Sequence, residues 1–175
     1  MKRTAFLVLI LGLIAAPAAV AQSDAPKADE QVASCNMDNG DQIAVRYVSE
    51  AASGERSVFG GKVPYGTVWT PQNKPMILFA TGAFSVGSQN LSPGAYTMFL
   101  IPNKNEWTLV VSKETDVNAK YDSTKDAART TLEIGSLPNA QNNFRVFLGH
   151  VGPNQCSISI HWQKRGGFAN FGGKL

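Results

Sequence analysis

Two histidines, two cysteines, a scatter of carboxylates and a run of rings are the residues of this chain able to do chemistry. His150 and His161 are the natural metal ligands. If their hairpin turns on Pro153-Asn154, Val151 faces Cys156, His150 faces Ser157, and His161 lies opposite Val146. At ~3.3 Å per residue the two imidazoles are ~13 Å apart, too far to share one ion. The same register puts Phe147, Val151, Cys156, Ile158, Ile160 and Trp162 on one face, a core pattern, and His161 on the opposite, more polar one. A serine nucleophile would need a base and a strained turn, but Gly-x-Ser-x-Gly is absent and Val86-Gly87-Ser88-Gln89 reads only as a turn. No spacing singles out a catalytic pair among Glu106, Glu114, Asp116, Asp122, Asp126 and Glu133. Gly60, Gly61 and Gly66 lack the strand–GxGxxG–helix setting of a dinucleotide site. These patterns call for no metal and no cofactor, and nothing positive supports an enzyme.

Aromatic residues carry more. The stretch Arg56 to Asn73, RSVFGGKVPYGTVWTPQN, packs Phe59, Tyr65 and Trp69 among glycine and proline breaks, with no acid. It is too broken for a helix and too apolar to hang in water. It reads as a crossing loop whose rings plug the end of a β-structure. Trp107 and Trp162, at strand positions, read as core. Tyr65 and Trp69, in the loop, are the better candidates to stack on a ligand, with Arg56 and Asn73 as hydrogen-bonding partners.

Cys35 and Cys156 are the two cysteines. The chain opens as an export signal: Lys2-Arg3, an apolar run from Ala5 to Ala16, a break at Pro17, and a small-x-small site that places cleavage between Ala21 and Gln22. The run falls short of the ~20 residues that a spanning helix needs, so no transmembrane anchor is expected in the mature chain. An oxidising compartment, periplasmic or extracellular, then makes a Cys35–Cys156 disulfide the leading reading. The alternative is two small buried hydrophobes that never meet. The formal charge of +3 drops by two when Lys2 and Arg3 leave, and no basic block for nucleic acid or anionic lipid remains.

The elements that must position these residues are short strands. Residues 22–31 read as a flexible lead-in. Val32–Met37 and Gln42–Ser49 form a hairpin around Asn39-Gly40, with Ile43, Val45 and Tyr47 facing inward. Further strands are expected at Pro75–Thr81, Phe84–Val86, Ala95–Ile101, Trp107–Ser112, Thr130–Ile134, Phe144–Val151 and Cys156–Trp162. One helical turn is expected near Asp126–Arg129, a loop over 135–143, and a glycine-rich tail over 166–175 bearing Phe168 and Phe171. The tail either frays or docks its two rings back on the domain or a partner. The sum is an all-β single-domain sandwich over 32–165, jelly-roll-like or a partly closed barrel, of about eight or nine short antiparallel strands.

The residues Arg56, Phe59-Gly60, Val63-Pro64-Tyr65-Gly66 and Val68-Trp69 are followed in order by Leu91-x-Pro93-Gly94-x-Tyr96, Ile101-Pro102, Glu106-Trp107-Thr108 and Asp126-x-x-Arg129. Together they resemble the bacterial domain of unknown function 2911, from about Ile43 to Trp162. The resemblance implies an exported, mostly β protein and supplies no reaction. One departure stands out. Where the family pattern follows its Trp with an Arg, a Thr-Gly-Ala-Asn run and an acid, this chain reads Thr70-Pro71-Gln72-Asn73-Lys74. The favoured expectation is a non-catalytic binding module for a glycan, peptide or envelope component. An envelope assembly protein that docks on another protein comes second, and a hydrolase with an unrecognised site third.

Overall fold

The computed structural model describes residues 29–52, 54 and 57–173. The export signal, its Ala21–Gln22 cleavage site, most of the 22–31 lead-in and Arg56 lie outside the described residues. The fold is all-β, as the strand pattern predicts. Its nine strands are β1 (Glu30–Asn36), β2 (Gln42–Val48), β3 (Met76–Ala80), β4 (Phe84–Val86), β5 (Gln89–Leu91), β6 (Gly94–Pro102), β7 (Glu106–Ser112), β8 (Asp126–Gly152) and β9 (Gln155–Gly173). They form one antiparallel sheet in the order β1-β2-β3-β6-β7-β8-β9-β4-β5, whose two end strands do not pair, so the sheet is not closed into a barrel.

The sheet makes its own second layer through β8 and β9. Near their base, β8 pairs with β7 over Asp126–Glu133, and Glu133–Ser136 pair with Arg165–Phe168 of β9. Register shifts at Ser136, Gln141 and Arg145 then interrupt the ladder, and Gln163 takes a left-handed φ of 52°. Such irregularities bend a strand pair sharply. Beyond them the tip of the hairpin packs against β1 and β2. Tyr47 meets Phe144 edge to face at 5.9 Å, and its hydroxyl donates to Val146 O at 3.4 Å. Ile43, Val45 and Tyr47 of β2 and Cys156, Ile158, Ile160 and Trp162 of β9 fill the space between the layers.

The tip differs from expectation by one residue. Gly152 pairs with Gln155 across Pro153-Asn154, but His150 rather than Val151 faces Cys156, because Val151 is bulged. A one-residue slip on one strand turns its side chains over. Phe147 and Val151, expected in the core, are therefore 41% and 52% exposed, while Phe144 and Val146 are buried. His161 faces Arg145, not Val146. Two further segments are strand where loop or tail was expected. Residues 135–143 belong to β8, and 166–173 complete β9, with Phe171 fully buried. The helical turn expected at Asp126–Arg129 is the start of β8, and a short 3-10 turn, Ser123–Lys125, precedes it.

Two turns lock the layers at this end. Asn39 N–H donates to Asn154 Oδ1 at 3.0 Å, Asn154 N–H donates to Asp38 Oδ2 at 3.3 Å, and His150 Nε2 lies 3.1 Å from Asp38 Oδ1. Beside them Cys35 and Cys156 are disulfide-bonded across 121 positions of chain. Closing so long a loop removes denatured-state entropy, and a native bridge of this kind stabilises by ~2–5 kcal/mol. Unfolded, unreduced protein should show no reactive thiol, and Cys35→Ala/Cys156→Ala should lower the urea-unfolding free energy by ~2–5 kcal/mol. Two titratable thiols in the unreduced protein would contradict the bridge.

Candidate functional site

The crossing segment is built around Phe59. Its ring stands edge-on to Trp69 at 5.2 Å, Trp107 at 4.9 Å and Trp162 at 5.5 Å. Trp69 in turn stacks on Trp162 at 5.0 Å and meets Phe144 at 5.3 Å. Aromatic pairs at these spacings favour offset-stacked and edge-to-face contact, which fixes ring orientation as well as position. The backbone fastens the segment to β6. Trp69 and Leu100 exchange hydrogen bonds of 2.7 and 2.9 Å, and Gly66 N–H donates to Pro102 O at 2.9 Å. Trp107 and Trp162 are core, as read from their strand positions. The segment therefore plugs the end of the sandwich, as its composition predicts.

After Trp69 the chain makes a 3-10 turn, Pro71–Asn73, with left-handed φ at Gln72 (50°) and Asn73 (56°). A left-handed Gln is costly, and local bonds hold it there. Gln72 N–H donates to Glu50 Oε2 at 2.6 Å, and Gln72 Nε2 donates to Ser49 O at 2.8 Å. Glu50 also sits 3.7 Å from Lys62 Nζ. No sequence motif marks Glu50. This turn aims Asn73 and Lys74 outward beside the half-buried Trp69.

Across from them lies the 113–125 segment, folded over the outer face of β6 and β7. Thr97 Oγ1 donates to Glu114 O at 2.8 Å, Ser112 Oγ donates to Lys125 O at 3.2 Å, and Tyr121 packs on Phe99 at 5.0 Å. An ion pair joins Lys125 to Glu114. That hydrogen bond, helped by backbone N–H donors, holds the Glu114 carboxyl below its ordinary value. The Tyr121 hydroxyl donates to Asp126 Oδ2 at 2.9 Å, and Arg129 Nε donates to the same oxygen at 2.8 Å. Burial, then the Asp126 bond, pushes the Tyr121 phenol up. These acids are committed to holding the segment in place.

Between the two walls runs an open groove of about 520 Å³, bordered by Val68, Trp69, Asn73, Lys74, Asn118, Lys120 and Tyr121 among others. The structure brings Trp69 and Asn73 to this groove. It places Tyr65, 44% exposed, elsewhere, on a cavity of about 60 Å³ that it shares with Trp162 and Arg165. The two rings do not form one platform. Among the described residues no three His, Cys, Asp or Glu side chains gather to hold a metal. His161 is wedged between Phe147 at 4.8 Å and Phe168 at 5.6 Å, and burial lowers its pKa.

An open, coiled antiparallel sheet, plugged at one end by a tryptophan-caged loop, defines the class as an all-β sandwich-like protein with a lateral groove. The chain belongs to the family described as protein of unknown function (DUF2911), whose model matches residues 28–167. No curated protein and no solved structure matches the chain. Of the residues that carry the resemblance, Phe59, Tyr65, Trp69 and Trp107 build or border the plug, Asp126 and Arg129 pin the far wall of the groove, and Leu91 and Tyr96 lie at the β5–β6 turn, packed on Phe84.

Phe59→Ala should cost about 3–5 kcal/mol in urea unfolding, the range for removing a large buried ring. A loss under about 1 kcal/mol would mean the plug does not hold the fold. His161 is less basic folded than unfolded, so its share of stability is complete above its ordinary value of 6.5 and is lost as pH falls through that value toward the lower folded one. Stability should therefore decline already between pH 7 and 5, before Glu114 and Asp122, whose ordinary values are 4.5 and 3.8, begin to titrate. His161→Gln should flatten that part of the profile; an unchanged slope would assign it to other groups.

Proposed function

We propose that the protein is an exported, non-catalytic binding module that takes a glycan in the groove beside Trp69. The observation that carries this reading is the groove's wall: an indole held rigid from behind by the core, next to the side-chain amides of Asn73 and Asn118 and the ammonium groups of Lys74 and Lys120. Amides offer a donor and an acceptor together, which suits sugar hydroxyls, and a fixed ring face suits a sugar's apolar side. The volume lies within the usual range for small-ligand sites. Lys74 and Lys120 favour a glycan carrying acidic substituents. Export is supported by the disulfide, since such bonds persist in oxidising compartments. Among the described residues no helix is long and apolar enough to cross a membrane.

A second reading, docking on another envelope protein, draws on Phe147, Val151 and Phe168, exposed on β8 and β9. Phe171 has no part in it, being fully buried. One experiment separates the two. Titration of acidic and neutral cell-wall saccharides by calorimetry should give saturable binding that Asn73→Gly/Asn118→Ala weakens at least tenfold with little change in melting temperature, glycine being the residue that tolerates the left-handed φ at 73, while Tyr65→Ala leaves it intact. Absence of saccharide binding, or binding indifferent to the double substitution, would sink the glycan reading. Concentration-dependent sedimentation in that case would favour docking.

A further inference from the structure

The groove beside Trp69 does not end at Asn118. A second cavity, of about 300 Å³, continues it over the outer face of β2 and β3. The two share Lys74 and Pro75 on one side and Val117 and Asn118 on the other. Lys74 and Asn118 are exposed and Val117 is 44% exposed. Among the described residues no hydrogen bond or ion pair ties the two sides together there. The border is open. Trp69 belongs to the first cavity alone, and Arg46 and Ile77 to the second alone. The register of the sheet sets the span between them. Trp69 pairs with Leu100 of β6, Ile77 with Thr97 three residues along that strand, and Arg46 with Ile77 on the next strand over. At ~3.3 Å per residue and ~4.8 Å per strand, the backbone positions of Trp69 and Arg46 lie ~11 Å apart. A ring stacked on Trp69 stays within the first cavity; reaching Arg46 takes a chain of rings.

Charge follows the same path. Lys120 lines the first cavity, Lys74 the shared border and Arg46 the second cavity. Among the described residues none of the three is ion-paired. The Arg46 guanidinium lies over the Phe79 ring, 5.6 Å from its centroid, a contact that fixes the cation without consuming its N–H donors. Asp29 and Glu30 stand on the β1 side of the second cavity, where they repel an anionic chain and set the end of its path. We propose that the two cavities form one track for an acidic oligosaccharide, with one ring on Trp69 and acidic groups pairing in turn with Lys120, Lys74 and Arg46. This rests on the glycan reading above and adds to it that the ligand is a chain of several acidic rings bound along its length.

The test is a length series. Uronate oligomers of two, four and six rings, in the galacturonate, mannuronate and guluronate series, are titrated into the protein by calorimetry beside neutral glucose oligomers of the same lengths. The four-ring uronate should bind at least tenfold tighter than the two-ring one, six rings should add little more, and the neutral oligomers should gain less with length. Arg46→Gln should remove the gain, raising the four-ring dissociation constant about tenfold, the order expected for one charge-assisted hydrogen bond. Two-ring binding should survive Arg46→Gln, which reports an intact fold, and should weaken in Asn73→Gly. Equal affinity for two and four rings, an equal gain in the neutral series, or an Arg46→Gln variant that keeps the gain would overturn the track and leave the groove reading standing. No binding by any oligomer, uronate or neutral, would overturn both.

Discussion

The groove and the small cavity beside the plug both depend on one aromatic cage, Phe59 among Trp69, Trp107 and Trp162. The four rings come from the crossing segment, β7 and β9, three pieces of chain that share no ladder at this point. Holding an irregular segment of this length in one conformation costs ~1–2 kcal/mol of backbone entropy per residue. Few backbone bonds are available to offset that: chiefly the Trp69–Leu100 pair, Gly66 to Pro102, and the tight Val58–Val63 turn. Ring burial must supply the rest, at ~1.5–3 kcal/mol for a fully buried large side chain. The cage is therefore what fixes the loop, and through the loop both the groove and the small cavity.

How much of this could be read from the chain varies with the kind of signal. The β1–β2 hairpin was plain, because Ile43, Val45 and Tyr47 alternate and Asn39-Gly40 supplies the turn. The tip of β8–β9 was placed at the right turn but in the wrong register, since nothing in Gly149-His150-Val151-Gly152 announces that Val151 bulges. Residues 166–173 look like a flexible tail because they are rich in glycine. In the fold Gly167 lies against the Trp107 ring with no room for a Cβ. There glycine serves close packing within a strand, a use that composition cannot tell from disorder. A helical turn is expected near Asp126–Arg129, and both residues lie in β8. They meet because a register shift opposite Val111 and Ser112 brings both to one side of β8.

The site was legible in halves. Trp69 and Asn73 were singled out from one short stretch, and they do border one groove. Tyr65, four positions before Trp69, belongs to the opposite side of the plug, because the chain passes between the two cavities as it crosses. The far wall, around Asn118 and Tyr121, comes from a segment nearly fifty residues downstream whose composition is that of any polar loop. Glu50, which props the Gln72 turn, lies twenty-two positions upstream of it and carries no motif. Long-range partners of this sort leave no periodicity for a sequence to display.

The departure from the family pattern gains meaning from this geometry. Thr70 to Lys74 begins one peptide bond after the caged Trp69 and ends on the rim of the groove. On the cage side, any change alters ring packing and is felt by the whole sandwich. On the groove side, Asn73 and Lys74 are exposed, and their side chains answer only to solvent and to whatever the groove receives. Lys74 puts a positive charge on the rim of the groove. A segment so placed can change what is bound without changing what is folded. The backbone turn itself is kept by the Glu50 and Ser49 bonds to Gln72, even though both central residues are left-handed and neither is glycine. The cage fixes where the segment leaves the core, and the Glu50 and Ser49 bonds fix the turn that follows it.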